Sequence, residues 1–177
     1  MENKYIEIDE STWPRAMHCA IFRNSVEPAF CVTFEADVTA FKKYAKENGL
    51  SFTIAMVYAV CKCANHVEAF RYRFVDGKVV LFDRIDTAFT YLNKETNLFK
   101  VVNVPMMDHL KEYCIQAKKT AEEQKDNATP LFDWGKYYEK DGKLMMPISV
   151  QGHHSFVDGI HVGEFVDTLE KYLNSFN

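Results

Sequence analysis

Residues 151–165, QGHHSFVDGIHVGEF, contain two adjacent histidines shortly before an aspartate. A neutral imidazole near pH 7 is the natural general base for taking a proton from a hydroxyl group. A carboxylate at the start of a helix is stabilised there by the helix dipole. His153, His154 and Asp158 therefore predict a site that activates a hydroxyl group. The next residue, Gly159, predicts a close backbone approach or an unusual dihedral angle.

Two other interpretations also fit this spacing. In the first, the histidines are polar residues that end a strand, and Asp158 only caps the following helix. In the second, His153, His154 and His161 bind a metal ion, although their spacing is not a standard zinc pattern. Adjacent strand residues point to opposite faces, so we expect His153 and His154 to have different roles.

The sequence around the histidines predicts a strand over residues 143–152 that delivers them to its end. A helix beginning near Asp158 carries the chain away, and its apolar face is expected to contain Val162, Phe165, Val166, Leu169, Tyr172 and Leu173. Strands and helices mix without strict alternation, which favours a mixed sheet with packed helices over a doubly wound parallel sheet. Apolar periodicity and turn residues predict the other elements: a helix in STWPRAMHCAIFRN capped by Ser11 or Thr12, a strand at 30–38, a short helix ending at Gly49, a buried helix in SFTIAMVYAVCKCANHV, hairpins at Asp76-Gly77 and Asp141-Gly142, a strand in DTAFTYLN, and a helix over 107–126.

Composition narrows the class of protein. The chain has 177 residues, which predicts one domain over residues 1–177. The net charge is −4 with no basic stripe, so we expect no nucleic-acid partner. No apolar run reaches the roughly 18 residues of a membrane span, so we expect no membrane partner. The N-terminal MENKYIEIDE lacks a signal peptide's apolar core. Five cysteines without a framework spacing predict reduced thiols, and together these features predict a cytoplasmic protein.

The pattern H-H-x-x-x-D-G near the C-terminal end resembles the signature of the chloramphenicol acetyltransferases. Related coenzyme A-dependent acyltransferases carry the shorter form H-x-x-x-D-G. Other segments resemble the same family in the same order and cover most of residues 5–176: STWPRAMHCAIF is similar to its early helix with W-x-R, AFRYRFVDGKVVLFDRIDTAFTYLNKETNLF to its hairpin and following strand, and WGKYYEKDGKLMMPISVQGHH to its G-K-Y-Y segment and penultimate strand.

The resemblance implies an α/β fold, a two-layer sandwich in which a mixed, mostly antiparallel sheet packs against helices. It also implies direct acetyl transfer from acetyl-CoA to a hydroxyl of chloramphenicol or a similar small acceptor, without an acyl-enzyme. His154, the second histidine of the pair, is then the general base. Asp158 then forms a buried pair with Arg15 that shapes the site, since an arginine fork holds a carboxylate in a fixed geometry.

The same resemblance implies binding residues and an assembly. Phe22, Phe30 and Phe99 fall where the family lines its acceptor pocket, whereas the bare sequence favours ordinary core positions for them. Lys136 and Tyr137 match the G-K-Y positions that contact coenzyme A. Acetyl-CoA is then the co-substrate, and no metal is required. The expected assembly is a homotrimer in which a neighbouring subunit closes each acceptor pocket.

One family segment has no counterpart in this chain. The family carries S-x-x-P-W and an aromatic-rich strand before G-K-Y-Y, and its serine is directed at the oxyanion of the reaction. This chain passes from KKTAEEQKDNATP straight to LFDWGKYY. We expect the helix to end near Leu131 with direct re-entry into the sheet, or the sheet to lose a strand and expose an edge. Two functions follow: an active acetyltransferase, or a vestigial member that binds small ligands or coenzyme A without efficient transfer.

Overall fold

The computed structural model describes residues 4–93, 98–123 and 132–176, without the side chains of residues 93, 98, 99, 132 and 133. These residues form helices and strands in an irregular order. The helices are α1 (Ala16–Arg23), α2 (Thr39–Glu47), α3 (Phe52–His66), α4 (Leu110–Glu123) and α5 (Gly159–Asn174), with a 3-10 helix at Glu68–Arg71. The strands are β1 (Tyr5–Glu7), β2 (Ala29–Asp37), β3 (Tyr72–Val75), β4 (Lys78–Phe82), β5 (Thr87–Asn93), β6 (Leu98–Val104), β7 (Phe132–Trp134), β8 (Tyr138–Lys140) and β9 (Lys143–His153).

The strand pairings within the described residues are all antiparallel and form three small sheets. β2 and β9 make the longest pair, with Ala29 opposite His153 at one end and Asp37 opposite Met145 at the other. β7 and β8 pair with β9 as well. The second sheet has the order β1-β4-β3, and the third is the β5-β6 hairpin. The predicted fold class, an α/β sandwich of helices on mostly antiparallel strands, is confirmed.

Both predicted hairpin turns are present. Asp76 and Gly77 have φ values of 50° and 77°, and Asp141 and Gly142 have φ values of 51° and 74°. Positive φ at both central residues is the geometry of a two-residue turn that matches the twist of antiparallel strands. The second of these turns joins β8 to β9 and thereby starts the strand that carries the histidines.

The hydrophobic core lies between the helices and the strands. α3 is buried on nearly all sides, as its apolar sequence predicts. The predicted apolar face of α5 is in the core, with Val162, Phe165, Leu169 and Leu173 buried. Each fully buried apolar side chain of this size contributes roughly 1.5–3 kcal/mol. The helix that follows His154 is therefore held firmly against the sheet that carries it.

α1 begins later than predicted. Ser11 and Thr12 do not cap it, because the Asp9 carboxylate accepts hydrogen bonds from the N–H of Ser11 at 3.0 Å and from its hydroxyl at 2.6 Å. These bonds hold the segment in a turn. Arg15 occupies the N-cap position without a side-chain cap, and Ala16 is the first helical residue.

Three other differences concern element boundaries. α4 begins at Leu110 rather than at residue 107, because the N–H of Met106 is bound by Asp86 and the carbonyl of Asp108 by the Tyr58 hydroxyl. β1 and β7 are three-residue strands that apolar periodicity does not resolve. β6, with the sequence LFKVVNV, was not predicted either, although it is rich in β-branched valine.

Two bulk expectations can be compared with the structure. Cys19, Cys31, Cys61, Cys63 and Cys114 are all free thiols, as predicted. Along residues 4–93, 98–123 and 132–176, no helix combines the length and the apolar character needed to cross a membrane.

Candidate active site

A tight turn after β9 places His154 beside the start of α5. The N–H of His154 donates to the carbonyl of Pro28 at 2.9 Å, and the carbonyl of His153 accepts from the N–H of Val157 at 3.0 Å. The turn reverses the chain within four residues. Asp158, the N-cap residue of α5, therefore returns to the imidazole of His154.

The contact between His154 and Asp158 determines which ring nitrogen is basic. Nδ1 of His154 lies 3.3 Å from Oδ1 of Asp158. The hydrogen bond from Arg15 lowers the pKa of Asp158 to about 2, so its carboxylate is ionised and only accepts. Nδ1 therefore carries the proton of the neutral ring, and Nε2 keeps the lone pair. The His154 side chain is 35% exposed, which leaves the ring accessible.

Arg15 joins α1 to both parts of this contact. Its Nη1 donates to Oδ2 of Asp158 at 2.7 Å, and its Nη2 lies 3.5 Å from the carbonyl of His154. The Arg15 and Asp158 side chains are 19% and 33% exposed. The pair is therefore partly buried, and the expectation of a buried pair is wrong. Solvent reaches the carboxylate because it lies at the end of a helix rather than inside the core.

Two of the predicted pocket residues stack on the imidazole of His154. The ring centroid of Phe22 lies 4.9 Å from it with an interplanar angle of 21°, and that of Phe30 lies 4.2 Å from it with an angle of 26°. Phe22 comes from the last turn of α1 and Phe30 from β2. Both are partly buried, so neither is an ordinary core residue. The two rings and the Asp158 carboxylate together fix the orientation of the imidazole.

The third predicted pocket residue, Phe99, lies in β6, where its main chain is opposite Leu92. Its side chain lies outside the part of the chain that the structure describes. The expectation that it lines an acceptor pocket stays a prediction.

Gly152 has a structural role that the sequence interpretation missed. A Cβ at this position would lie 3.0 Å from Cβ and Cγ1 of Val157 and 3.3 Å from the ring of Phe30. The absence of a side chain lets the turn after His154 and the stacking ring approach β9 closely. A glycine within a strand is a recognised signal of such an approach.

Gly159, by contrast, does not need to be glycine in this structure. A Cβ there would meet nothing within 4 Å, and its φ is not among the positive values. The prediction of a close backbone approach or an unusual dihedral angle at Gly159 is wrong. The close approach occurs instead at Gly152, which precedes the histidine pair.

His153 faces different surroundings from His154. Its Nδ1 accepts the N–H of Ser155 at 3.1 Å, and its ring packs edge-on against Phe74 at 5.7 Å. Burial and the neighbouring His154 lower the pKa of His153. His153 therefore stabilises the turn, while the ring of His154 is partly exposed.

The metal-binding alternative finds no support in these contacts. Nδ1 of His153 and Nδ1 of His161 both accept main-chain N–H groups, and Nδ1 of His154 contacts Asp158. Within the residues that the structure describes, no group of three or more His, Cys, Asp or Glu residues is placed to hold a metal ion.

Lys136 and Tyr137 lie between β7 and β8, far from the histidines at the end of β9. The preceding Gly135 donates its N–H to the carbonyl of Pro147 at 3.0 Å. Six residues of extended strand, roughly 20 Å, separate Pro147 from His153. Within one chain the structure does not bring these two predicted residues to the imidazole of His154.

The ring of Tyr137 is held by residues from α2 and α3. Nζ of Lys42 lies 3.1 Å from the ring centroid, and the ring of Phe52 packs edge-on at 6.1 Å. Contact with Lys42 lowers the pKa of Tyr137, with a smaller contribution from the charge of Lys136. An aromatic ring with one cation over its face and a second positive charge in the neighbouring residue is suited to an anionic, aromatic ligand.

This geometry can be compared with known proteins. The family model described as chloramphenicol acetyltransferase matches residues 3–129 and 120–170. The chain belongs to the chloramphenicol acetyltransferase family. Chloramphenicol acetyltransferase 2 of Escherichia coli is 27% identical over 203 aligned residues, which cover 94% of this chain and 95% of that protein.

Solved structures agree with this assignment to the chloramphenicol acetyltransferase family. One chloramphenicol acetyltransferase has a TM-score of 0.88 to this chain at 25% identity, and the match covers 96% of this chain and 100% of that chain. A probable dihydrolipoamide acetyltransferase from Listeria monocytogenes has a TM-score of 0.65 at 13% identity, covering 98% and 95%, which shows a shared fold.

The family match is divided into two stretches. Its two stretches overlap at residues 120–129, and the alignment with the E. coli relative spans 203 residues for a chain of 177. Both findings fit an internal segment that this chain lacks. β7 pairs with β9 from Phe132 opposite Val150 onwards. The predicted end of the helix near Leu131 lies outside the described residues.

Proposed function

We propose that the protein, acting as one acetyltransferase domain, transfers the acetyl group of acetyl-CoA to a hydroxyl of chloramphenicol or a similar small acceptor. His154 is the general base. The observation that carries this proposal is the series of contacts from Arg15 through Asp158 to Nδ1 of His154. These contacts direct the ring proton to Nδ1 and leave Nε2 as the proton acceptor. Membership of the family supports the choice of both substrates.

In this mechanism Nε2 of His154 takes the proton of the acceptor hydroxyl as its oxygen attacks the thioester carbonyl. The carbonyl π electrons move to oxygen and form a tetrahedral oxyanion. When this intermediate collapses, the carbon–sulfur bond breaks and the thiolate of coenzyme A takes the proton from the imidazolium. The products are the acetyl ester and free coenzyme A, and the enzyme ends in its starting protonation state.

Arg15 and Asp158 support this base without touching the substrates. The ionised Asp158 stabilises the imidazolium that forms when His154 accepts the proton. Arg15 holds the carboxylate in place and also contacts the main chain of His154. A nitrogen that must meet a hydroxyl within about 3 Å depends on such positioning.

Phe22, Phe30 and Phe99 are proposed to line the acceptor site. The stacking of Phe22 and Phe30 on His154 supports this role, because an acceptor held near Nε2 must also lie near these rings. Partly buried aromatic faces are suited to the nitrophenyl group of chloramphenicol.

Lys136 and Tyr137 are proposed to bind coenzyme A. The two lysines at the Tyr137 ring suit the phosphates, and the aromatic ring suits the adenine. Their distance from His154 requires an extended cofactor or a site that combines residues of two subunits. Acetyl-CoA, with its long pantetheine arm, meets the first requirement.

The protein is proposed to act as a homotrimer in which a neighbouring subunit completes the acceptor site. Exposed apolar side chains on the elements around His154 support this assembly. They are Met17 and Ile21 on α1, Val26 before β2, and Ile160 in the first turn of α5, with exposures of 68%, 59%, 98% and 78%. Covering these side chains would contribute to subunit association.

A thiol-release assay tests the proposed activity. The purified protein is incubated with acetyl-CoA, with and without chloramphenicol, and free coenzyme A is measured with a thiol reagent. We expect release that depends on chloramphenicol and saturates with it. Release at the same rate without any acceptor would contradict acetyl transfer to chloramphenicol.

A second candidate is a vestigial member that binds its ligands without efficient transfer. The lack of an S-x-x-P-W segment before G-K-Y-Y favours it, because the chain then has no serine for the oxyanion. Calorimetric titration separates the two candidates. Saturable binding of coenzyme A without chloramphenicol-dependent thiol release would support the vestigial member.

A further inference from the structure

His161 occupies a position in the first turn of α5 that no step of the proposed reaction uses. Its Nδ1 accepts a hydrogen bond from the main-chain N–H of Asp158 at 2.8 Å. Asp158 is the N-cap residue and His161 is the third residue of the helix. This is the contact that a glutamate or glutamine makes in a capping box. Asp158 is thus held at both ends, by His161 at its N–H and by Arg15 at its carboxylate.

The protonation state of His161 follows from this bond. A main-chain N–H only donates, so Nδ1 of His161 must be unprotonated and the ring proton lies on Nε2. Protonation would turn Nδ1 into a donor, which breaks the bond and leaves the N–H of Asp158 without its partner. It would also place a positive charge near the guanidinium group of Arg15.

We propose that His161 is a positioning residue for the transfer reaction. By holding the main chain of Asp158, it sets the carboxylate between Arg15 and Nδ1 of His154, and it does so only as the neutral Nε2–H tautomer. The inference rests on the proposed role of His154 as general base. His161 makes no contact with the reacting atoms in this account.

The surroundings of His161 keep it in this state near neutral pH. Burial is the largest cause that lowers the pKa of His161, and the charge of Arg15 lowers it further, against the opposing charges of Asp158 and Glu164. The ring lines a pocket of about 370 Å³ beside the ion pair. The titratable or charged groups that face His161 are Arg15, Asp158 and Glu164, and across the pocket His66, Glu68 and Tyr72.

Acid pH should therefore protonate two functional histidines, His154 and His161. His154 loses its role as base when it is protonated, and His161 loses its hydrogen bond at a lower pH than an ordinary histidine would. Once the pH is low enough to protonate His161 as well, we expect the rate to fall with a steeper dependence on pH than one ionisation gives.

Two substitutions separate the hydrogen bond from the titration. His161→Leu removes the acceptor, and we expect kcat to fall on the order of tenfold or more, the cost of one partly buried donor left unpaired. The KM for acetyl-CoA should stay unchanged. His161→Gln keeps an acceptor for the N–H of Asp158 and does not titrate. It should retain the parental kcat, and its rate should fall at acid pH with the slope of a single ionisation.

His66→Leu is the matched control. It removes an imidazole from the same pocket, and that imidazole is exposed and not bonded to Asp158. We expect His66→Leu to have the same kcat as the parent and the same fall in rate at acid pH. If His161→Leu retains parental kcat, or if His161→Gln keeps the steep acid limb of the parent, the positioning role is overturned. If His161→Leu does not fold, the acid limb of His161→Gln still decides.

A measurement on the resting protein separates this inference from the proposed function. Two-bond 1H–15N NMR correlations of the histidine rings report each tautomer, and we expect His161 as Nε2–H. Hydrogen exchange at the N–H of Asp158 should be slow in the parent and in His161→Gln and fast in His161→Leu. An Nδ1–H tautomer would overturn the inference even in an active enzyme. A protein without acetyl transfer but with these NMR results would instead contradict the proposed function.

Discussion

The guanidinium group of Arg15 and the carboxylate of Asp158 form an ion pair of 2.7 Å between the start of α1 and the start of α5. The second carboxylate oxygen of Asp158 lies 3.3 Å from Nδ1 of His154. One contact thus links the packing of two helices to the orientation of the proposed base. Stability and acetyl transfer should therefore respond together when it is broken.

Asp158→Asn should lower both the stability of the fold and the rate of acetyl transfer. The amide keeps the size of the side chain but loses the charge that binds Arg15. We expect the free energy of unfolding to fall by about 1.5–3 kcal/mol, the range for a hydrogen bond to a charged group, since the pair is only partly buried. Urea unfolding measures this, with Asp167→Asn, an exposed carboxylate on the same helix, as control. Unchanged stability and activity in Asp158→Asn would reduce Asp158 to a surface helix cap.

The difference in stability between the parent and Asp158→Asn should depend on pH. Its dependence follows from the pKa of Asp158, which Arg15 lowers from 3.8 to about 2. A carboxyl with a lower pKa in the folded than in the unfolded state stabilises the fold above its unfolded value. The parent should therefore exceed Asp158→Asn in stability above about pH 4, and the difference should disappear as the pH falls through about 2. A difference that stays constant with pH would show that the charge is not its cause.

Gly152→Ala should disturb the site from the strand side. The added Cβ would press on Val157 and on the ring of Phe30, which stacks on His154. We expect a loss of stability of about 1–3 kcal/mol, typical of overpacking, together with slower transfer. Gly159→Ala is the matched control, because its Cβ would meet nothing within 4 Å, and it should leave the stability of the chain unchanged. A Gly152→Ala variant as stable and active as the parent would show that the close approach is not needed.

The homotrimer can be tested through one exposed side chain. Ile160 is 78% exposed in the first turn of α5, beside Asp158, and Ile115 is 69% exposed on α4. We expect sedimentation to give a trimer for the parent at micromolar concentration. Ile160→Glu should shift the protein toward monomer and lower transfer, and Ile115→Glu should do neither. A monomeric parent with full activity would exclude an acceptor site shared between subunits.

The sequence gap predicts a slow enzyme that an insertion can improve. Without the family's serine, water or a main-chain N–H must meet the oxyanion. Inserting the S-x-x-P-W segment of a relative between Pro130 and Leu131 should raise the rate toward the roughly 10²–10³-fold that one oxyanion donor contributes. The same insertion with alanine in place of serine is the control. No gain in a folded insertion variant would place the weakness elsewhere or show that chloramphenicol is not the acceptor.

Local patterns in the sequence predicted the elements that carry the site. Asp141-Gly142 predicted the turn that starts β9, and the apolar spacing of Phe165 and Leu169 predicted the buried face of α5. These features depend on neighbouring residues only, which is why they are readable from the chain. The α1 boundary failed because the side chain of Asp9 competes for the N–H of Ser11, a contact that residue spacing alone does not reveal.

The contacts within the site were less accessible to sequence reasoning. Arg15 and Asp158 are 143 residues apart in the chain, so only the family resemblance suggested that they meet. The resemblance also placed Phe22 and Phe30 near the acceptor, but not against the imidazole itself. A glycine within a strand signals a close approach but does not identify the groups that approach Gly152. Asp158 and His161 have the spacing of a capping box, but that pattern has glutamate or glutamine where this chain has histidine.

The measurement that tests the central proposal most directly is the chloramphenicol-dependent release of coenzyme A by the parent, by His154→Ala and by His153→Ala. We expect His154→Ala to fold normally and to lose transfer, because the substitution removes the nitrogen that is proposed to take the proton. His153→Ala should retain much more activity, since its ring packs against Phe74 and accepts the N–H of Ser155. A His154→Ala variant that releases coenzyme A at the parental rate would contradict the general-base assignment.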